Sequence, residues 1–169
     1  MGVPLSLFTF TLDIQNGFER ALNAAIPALA GADELSGIGE MEAGVTGSFA
    51  QIVCDNEIAA SVRRLRKGFP VTEDALAVEA ISTAMHGSHN FLGQKHTMRY
   101  LRGGEVLLTT LAERGTWESW DVNGRTGMAE RAQARAEEII KNHQVPPLST
   151  DQERELDAIL EEADRKLRK

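Results

Sequence analysis

Two glutamates one residue apart, Glu40 and Glu42, stand in a glycine-spaced stretch, Leu35-Ser36-Gly37-Ile38-Gly39-Glu40-Met41-Glu42-Ala43-Gly44. Paired carboxylates in a polar turn offer negative charge to a cationic ligand, or they are solvated turn acids. If a strand runs as far as Glu42, both side chains lie on the same side of it. A second group is aromatic. Phe8 and Phe10 alternate within Leu5–Leu12, LSLFTFTL, and on a strand they share a side. They either fill a sheet or barrel interior or form an aromatic wall, whose ring quadrupoles attract a quaternary ammonium. The third group is His86-Gly87-Ser88-His89-Asn90-Phe91-Leu92-Gly93, with His96 just beyond. These histidines match no closed zinc spacing, and no cysteine joins them. Hydrogen bonding to a ligand or to backbone is the favoured reading, and no metal is expected. The sequence carries no GxGxxG, P-loop or GxSxG signature, so nucleotide and serine-hydrolase chemistry lack support.

The elements that must position these groups are strand–turn–helix units. Leu5–Leu12 reads as a strand, rich in Phe and Thr. Asp13-Ile14-Gln15-Asn16-Gly17 breaks it, which sets Asp13 and Gln15 at the strand's end. A helix is expected from about Gly17 to Ala30, with Phe18, Leu22, Ala25 and Leu29 on one side. Pro27 kinks or ends it, and Gly31 stops it. The second strand is Leu35–Gly39, followed by the acidic turn. Ser48 is the N-cap of a second helix with Ile58, Val62 and Leu65 on one face. Two such units in succession imply parallel strands with right-handed crossovers, and the turns after the strands are where ligands bind.

Further on, Thr72 caps a short helix with Leu76, Ala80 and Ile81 inside. Thr97 starts another helical turn. Glu105–Leu111 is helix or strand, since its periodicity does not decide. Trp117–Gly124 is a loop or short helix. Met128–Asn142 is a strong helix stopped by Pro146-Pro147. Ser149 and Thr150 offer capping boxes with Gln152 and Glu153. The last helix carries the apolar stripe Leu156, Ile159, Leu160, Ala163 and Leu167.

Composition bounds the class. The 169 residues are 42% apolar, enough for a core. A net charge of −7 argues against a basic nucleic-acid surface. No run of apolar residues is long enough to span a membrane, and the start lacks the basic region of a signal peptide. The single cysteine, Cys54, allows no internal disulfide and suits a reducing cytoplasm. Cys54 reads as a small buried residue rather than a nucleophile.

Three blocks in order, ALAGADELSGIGEMEAGVTGSFAQIVCDNEI, HGSHNFLGQKHTMRYLR and GMAERAQARAEEIIKNHQVPPLSTDQERELDAIL, together resemble the trimethylamine:corrinoid methyltransferase family, from about Asp13 to the C-terminus. The resemblance implies an α/β fold, the C-terminal portion of a TIM (β/α)8 barrel, helix-rich, with C-terminal helices. Its expected division is 1–112 as partial barrel units and 113–169 as a helical extension. It implies an enzyme that moves a methyl group from a methylated amine to the cobalt of a corrinoid held by a separate partner protein, with no cofactor bound directly. Cobalt(I) would attack the methyl carbon in line and a neutral amine would leave. In the trimethylamine branch a pyrrolysine lies on a barrel strand, at a position falling near Phe8. This sequence has none, which resembles the non-pyrrolysine branch and its quaternary amines such as glycine betaine. The pocket expected from this is Phe8, Phe10, Glu42, Asn90 and Phe91, with His89 orienting substrate and Asp13 and Gln15 lining the same mouth.

Family members are much longer, and a TIM barrel needs about 250 residues. The chain is therefore expected either to pair with another chain carrying further strands, or to form a homo-oligomer, or to be a poorly soluble truncated product. The alternative function is a catalytically inactive remnant or an assembly subunit.

Overall fold

The computed structural model describes the backbone of residues 2–4 and, in full, residues 8–168. Two strand–helix units open the chain: β1 (Gly2–Pro4), α1 (Ile14–Leu29), β2 (Glu34–Ser36) and α2 (Phe49–Lys67). β1 and β2 pair in parallel, Gly2 opposite Glu34 and Pro4 opposite Ser36. α1 is the crossover that a parallel pair requires. Between β2 and α2 lie two short strands, β3 (Glu40–Met41) and β4 (Thr46–Gly47), paired antiparallel around a single 3-10 turn at Glu42–Gly44. Then come α3 (Glu73–Leu76), α4 (Val78–Met85), α5 (Lys95–Arg102), α6 (Trp117–Val122), α7 (Met128–Asn142) and α8 (Thr150–Leu167). A helix-rich chain whose small parallel sheet is open among the described residues is the C-terminal portion of a barrel of the TIM type with helices added after it.

α1 begins where Asp13 accepts the Asn16 N–H at 3.0 Å, an N-cap that satisfies one of the helix's orphan donors. Pro27 lies in its last turn, and Gly31 follows at φ +93°, where a residue without Cβ is needed. The buried face is not the side with the large apolar residues. Asn16, Arg20, Ala24 and Ala28, four residues apart, face inward, while Phe18, Leu22 and Leu29 are exposed. The two alanines admit α2 closely, and Val62, Leu35 and Ile58 complete that core. The polar half of the same face is held by hydrogen bonds described below. On α2, Ser48 caps as expected, accepting the Gln51 N–H at 3.2 Å. Val62 is buried, but Leu65 is exposed.

The first strand differs from the expectation of Leu5–Leu12. β1 ends at Pro4, Leu5–Leu7 lie outside the described residues, and Phe8–Leu12 is irregular. The Phe8 N–H donates to Glu19 at 3.0 Å, and the Thr9 hydroxyl accepts from Asn16. These groups turn toward α1 instead of a neighbouring strand, so the alternation argument for Phe8 and Phe10 lapses.

The expected helix after Thr72 is split. Ala77 adopts φ +56°, ending α3 and starting α4. Leu76 and Ile81 are exposed, and the buried residue is Ala84. Glu105–Leu111 is neither helix nor strand. Several of its backbone groups are bound by α2 side chains. Arg64 Nε donates to the Glu105 carbonyl at 3.0 Å. The Glu57 carboxylate collects the N–H groups of Thr110, Leu111 and Ala112 and the Thr110 hydroxyl. A second core of Ala50, Cys54, Leu111 and Ala132 packs beneath, with Leu12, Val53 and Met128 at its edge.

The chain divides into two compact units, Met1–Glu138 and Ile139–Lys169. In the second, Ser149 and Gln152 form a capping box at the start of α8, which turns the proline-stopped segment into a helix. The α8 residues Leu156, Ile159, Leu160 and Leu167 are all exposed. No helix among the described residues is long and apolar enough to cross a membrane.

Candidate functional site

Phe8–Asp13 is the first described segment after β1, and Gly37–Ser48 leaves β2 at the C-terminal end of the parallel pair. This is the end that carries ligand sites in barrels and open α/β sheets. The two are joined there, because the Glu42 N–H donates to the Thr9 carbonyl at 3.2 Å. Phe8, Phe10 and Asp13 lie on the first of the two segments at this mouth, Glu42 on the second, and Gln15 in the first turn of α1. Phe8 and Phe10 are each 73% exposed. Asp13 is occupied as the α1 cap and also accepts the Thr11 hydroxyl at 2.7 Å. The Thr11 hydroxyl and the Asn16 N–H hold its carboxyl below the usual aspartate range. Gln15 donates to Glu19 at 2.7 Å.

The Gly37–Ser48 loop has an unusual backbone. Gly37, Gly39 and Gly44 have positive φ, and so do Glu42 (+51°) and Ala43 (+54°). Left-handed backbone at non-glycine residues costs of order 1–3 kcal/mol each and persists only where surroundings enforce it. Glu40 and Glu42 thus do not share one side of a strand. The extended backbone stops at Met41, and Glu42 turns out of it, its carboxylate accepting the Thr46 hydroxyl at 2.9 Å.

A buried polar cluster binds the backbone just before this turn. The Arg20 guanidinium donates to the Gly37 carbonyl at 2.8 Å and to the Glu40 carbonyl. Its Nε lies 3.3 Å from Asp55 Oδ1, an ion-pair contact without hydrogen-bond alignment. Asp55 accepts the Gly39 N–H at 2.8 Å and Gln51 Nε2 at 2.7 Å. Gln51 accepts from Asn16 at 2.8 Å, and Asn16 also donates to the Thr9 hydroxyl at 3.2 Å. Arg20, Gln51, Asp55, Asn16 and Thr9 are all buried. Burial pushes the Asp55 carboxyl up, opposed by the Gly39 and Gln51 hydrogen bonds and by the Arg20 charge. Beside this cluster the Cys54 thiol is pushed up to about 11, first by burial and then by the Asp55 and Glu57 charges. It is a thiol at neutral pH and no nucleophile. Gly39 closes the arrangement: a Cβ there would stand 2.3 Å from Ile52 Cγ1.

None of these cluster residues was singled out by sequence reasoning. The signal that could have found them is polar residues four apart on faces otherwise read as apolar, Asn16 with Arg20 and Gln51 with Asp55.

The histidine segment lies elsewhere, on the connection between α4 and α5. Asn90 accepts the Leu92 N–H at 2.9 Å, and the Ser88 hydroxyl accepts the Asn90 N–H at 3.3 Å. His89 has φ +51°, and Phe91 is 42% exposed. Among the described residues, no hydrogen bond or ion pair ties His89, Asn90 or Phe91 to the mouth. His96 belongs to another contact set, its Nε2 2.7 Å from the Asp74 carbonyl and its ring stacked on Tyr100 at 4.4 Å. No group of three or more His, Cys, Asp or Glu among the described residues is placed to hold a metal ion.

Successive strand–helix units with a parallel strand pair define an α/β protein of the barrel class. Residues 8–167 match the family described as Trimethylamine methyltransferase (MTTB), and the chain belongs to that family. It is 36% identical over 156 residues to the trimethylamine methyltransferase MttB of Methanosarcina barkeri, covering 92% of this chain and 31% of that protein. To MttB of Desulfitobacterium hafniense it is 32% identical over 152 residues, 90% of this chain and 30% of the relative. To the glycine betaine methyltransferase of another strain of that species it is 28% identical over 151 residues, 89% and 31%. The chain spans about a third of the length of the curated relatives it matches.

Proposed function

We propose that this chain carries part of the amine-binding mouth of a corrinoid-dependent methyltransferase acting on a methylated or quaternary amine such as glycine betaine. The observation that carries the reading is the Glu42 N–H bond to the Thr9 carbonyl. It sets exposed phenylalanines and a carboxylate on adjoining strand-end loops within the span that matches the family. A methylated ammonium suits such a place, because aromatic faces and carboxylates attract its charge. The acids at the mouth fit the cationic methyl donor, and the corrinoid belongs to a partner protein. That group supplies the cobalt that receives the methyl when the two proteins meet. The methyl carbon–nitrogen bond breaks, the electron pair stays on nitrogen, and a neutral amine leaves. Phe8, Phe10 and Glu42 hold the cation, while Asp13 and Gln15 edge the mouth. His89, Asn90 and Phe91, on their separate connection, are the remaining proposed substrate contacts.

A second reading, an inactive assembly subunit, is favoured by one feature. α1 turns Ile14, Phe18, Leu22, Ile26 and Leu29 outward, an apolar stripe suited to a chain supplying further barrel strands or to a second copy.

The deciding assay is methylation of cob(I)alamin, and of a corrinoid protein, with glycine betaine and with trimethylamine. Turnover by the chain, alone or with a strand-supplying partner, is the expected result. No turnover in any combination overturns the enzymatic reading and leaves the assembly one.

A further inference from the structure

Three backbone groups of the loop after β2 are gripped by two buried side chains from different helices. Arg20 of α1 holds the Gly37 and Glu40 carbonyls. Asp55 of α2 holds the intervening Gly39 N–H. A guanidinium fork reads two carbonyls at a fixed separation, which a single-point ammonium does not. The grip spans the residues just before the left-handed pair Glu42 and Ala43, whose conformation needs outside enforcement. Thr9, the partner of the Glu42 N–H, belongs to the same cluster through Asn16 and Gln51.

We propose that Arg20 and Asp55 are the positioning pair of the mouth, setting the backbone from which Glu40 and Glu42 are presented to substrate. Neither side chain touches substrate, since both are closed off from solvent. Their effect passes through Gly37, Gly39 and Glu40. The inference rests on the reading of this mouth as the amine site, but its main test does not need turnover.

The test compares wild type with Arg20→Met/Asp55→Leu and with Arg20→Lys. The double variant removes both buried charges together, a change that cores often tolerate, whereas removing one partner strands the other. Hydrogen exchange is followed at the amides of Glu40, Glu42 and Ser48, whose acceptors are the Gly37, Thr9 and Gly39 carbonyls; of these the Gly37 carbonyl also accepts from Arg20, so Glu42 and Ser48 are the amides whose acceptors neither substituted side chain contacts. Positioning predicts exchange at these amides at least about ten-fold faster in the double variant. Amides of Ala28 and Val62 in the α1–α2 core should be unchanged. Arg20→Lys should fall between the two. In parallel, the affinity of the full chain for glycine betaine should drop by about ten-fold or more in the double variant. Unchanged exchange at Glu40, Glu42 and Ser48 overturns the proposal, and so does uniform acceleration that includes Ala28 and Val62. If wild type binds no glycine betaine, the substrate reading fails, and the exchange pattern alone decides whether the pair sets the loop.

Discussion

The Asp55 carboxylate accepts the Gly39 N–H at 2.8 Å, a helix side chain closing on the backbone of a strand-end loop. The same carboxylate is the counter-ion of Arg20, and both side chains are fully buried. Asp55→Ala therefore leaves a guanidinium without its anion in a dry place. The expected loss is about 3–5 kcal/mol of unfolding free energy, the usual result of breaking a buried pair from one side. Urea unfolding reads it directly, and a variant as stable as wild type would show that the pair carries no weight.

Gly39 and Gly31 separate two costs. Both have positive φ, but a Cβ at Gly31 meets nothing, while one at Gly39 strikes Ile52. Gly31→Ala should cost about 1 kcal/mol from backbone strain alone. Gly39→Ala should cost more, and adding Ile52→Ala should recover part of the difference. Equal losses at the two glycines would contradict the contact with Ile52.

Glu57 sets an acid limit. Burial opposes its ionisation, but the N–H groups of Thr110, Leu111 and Ala112 and the Thr110 hydroxyl outweigh burial and hold its pKa below the ordinary value. A lowered carboxyl contributes stability above its unfolded pKa, and that contribution is lost as pH falls through the lower folded value. Unfolding free energy should thus fall with pH below about 4. Glu57→Gln should flatten the slope there while lowering stability at neutral pH by about 2 kcal/mol. A slope identical in the variant would assign it to other carboxyls.

Phe10 tests the mouth without testing the core. Its ring is largely exposed, so Phe10→Ala should leave unfolding within about 0.5 kcal/mol of wild type. Its loss should weaken glycine betaine binding by roughly 2- to 30-fold, the range of a cation–π contact. Isothermal titration on both proteins distinguishes the outcomes. Unchanged affinity removes Phe10 from the proposed pocket.

Much of the architecture was legible in the sequence because its signals are local. Ser48, Thr72 and Ser149 cap the helices they were expected to cap, and Met128–Asn142 forms over its expected range. What could not be read depends on long-range partners. Phe8–Leu12 has strand composition, yet its hydrogen bonds go to Glu19 and Asn16. Ala77 has no propensity for the left-handed turn it makes. On α1, periodicity identified an apolar stripe correctly as a stripe, but the buried side is the one with Arg20 and the alanines. A pattern of hydrophobic residues shows that a face wants covering, not which chain segment covers it. The two acids Glu40 and Glu42 were visible as residue types, while the buried cluster beside them was hidden among ordinary polar positions.

The outward row on α1 has a colloidal consequence. With a formal charge of −7, molecules repel one another at low ionic strength, where the screening length is long. At 0.1 M salt that length shrinks to about 10 Å, near the distance at which two oily ridges meet. Added salt should therefore drive self-association that dilution into low salt reverses, readable as a rise in sedimentation coefficient. Buffer choice then decides whether this molecule is handled as single chains or as clusters.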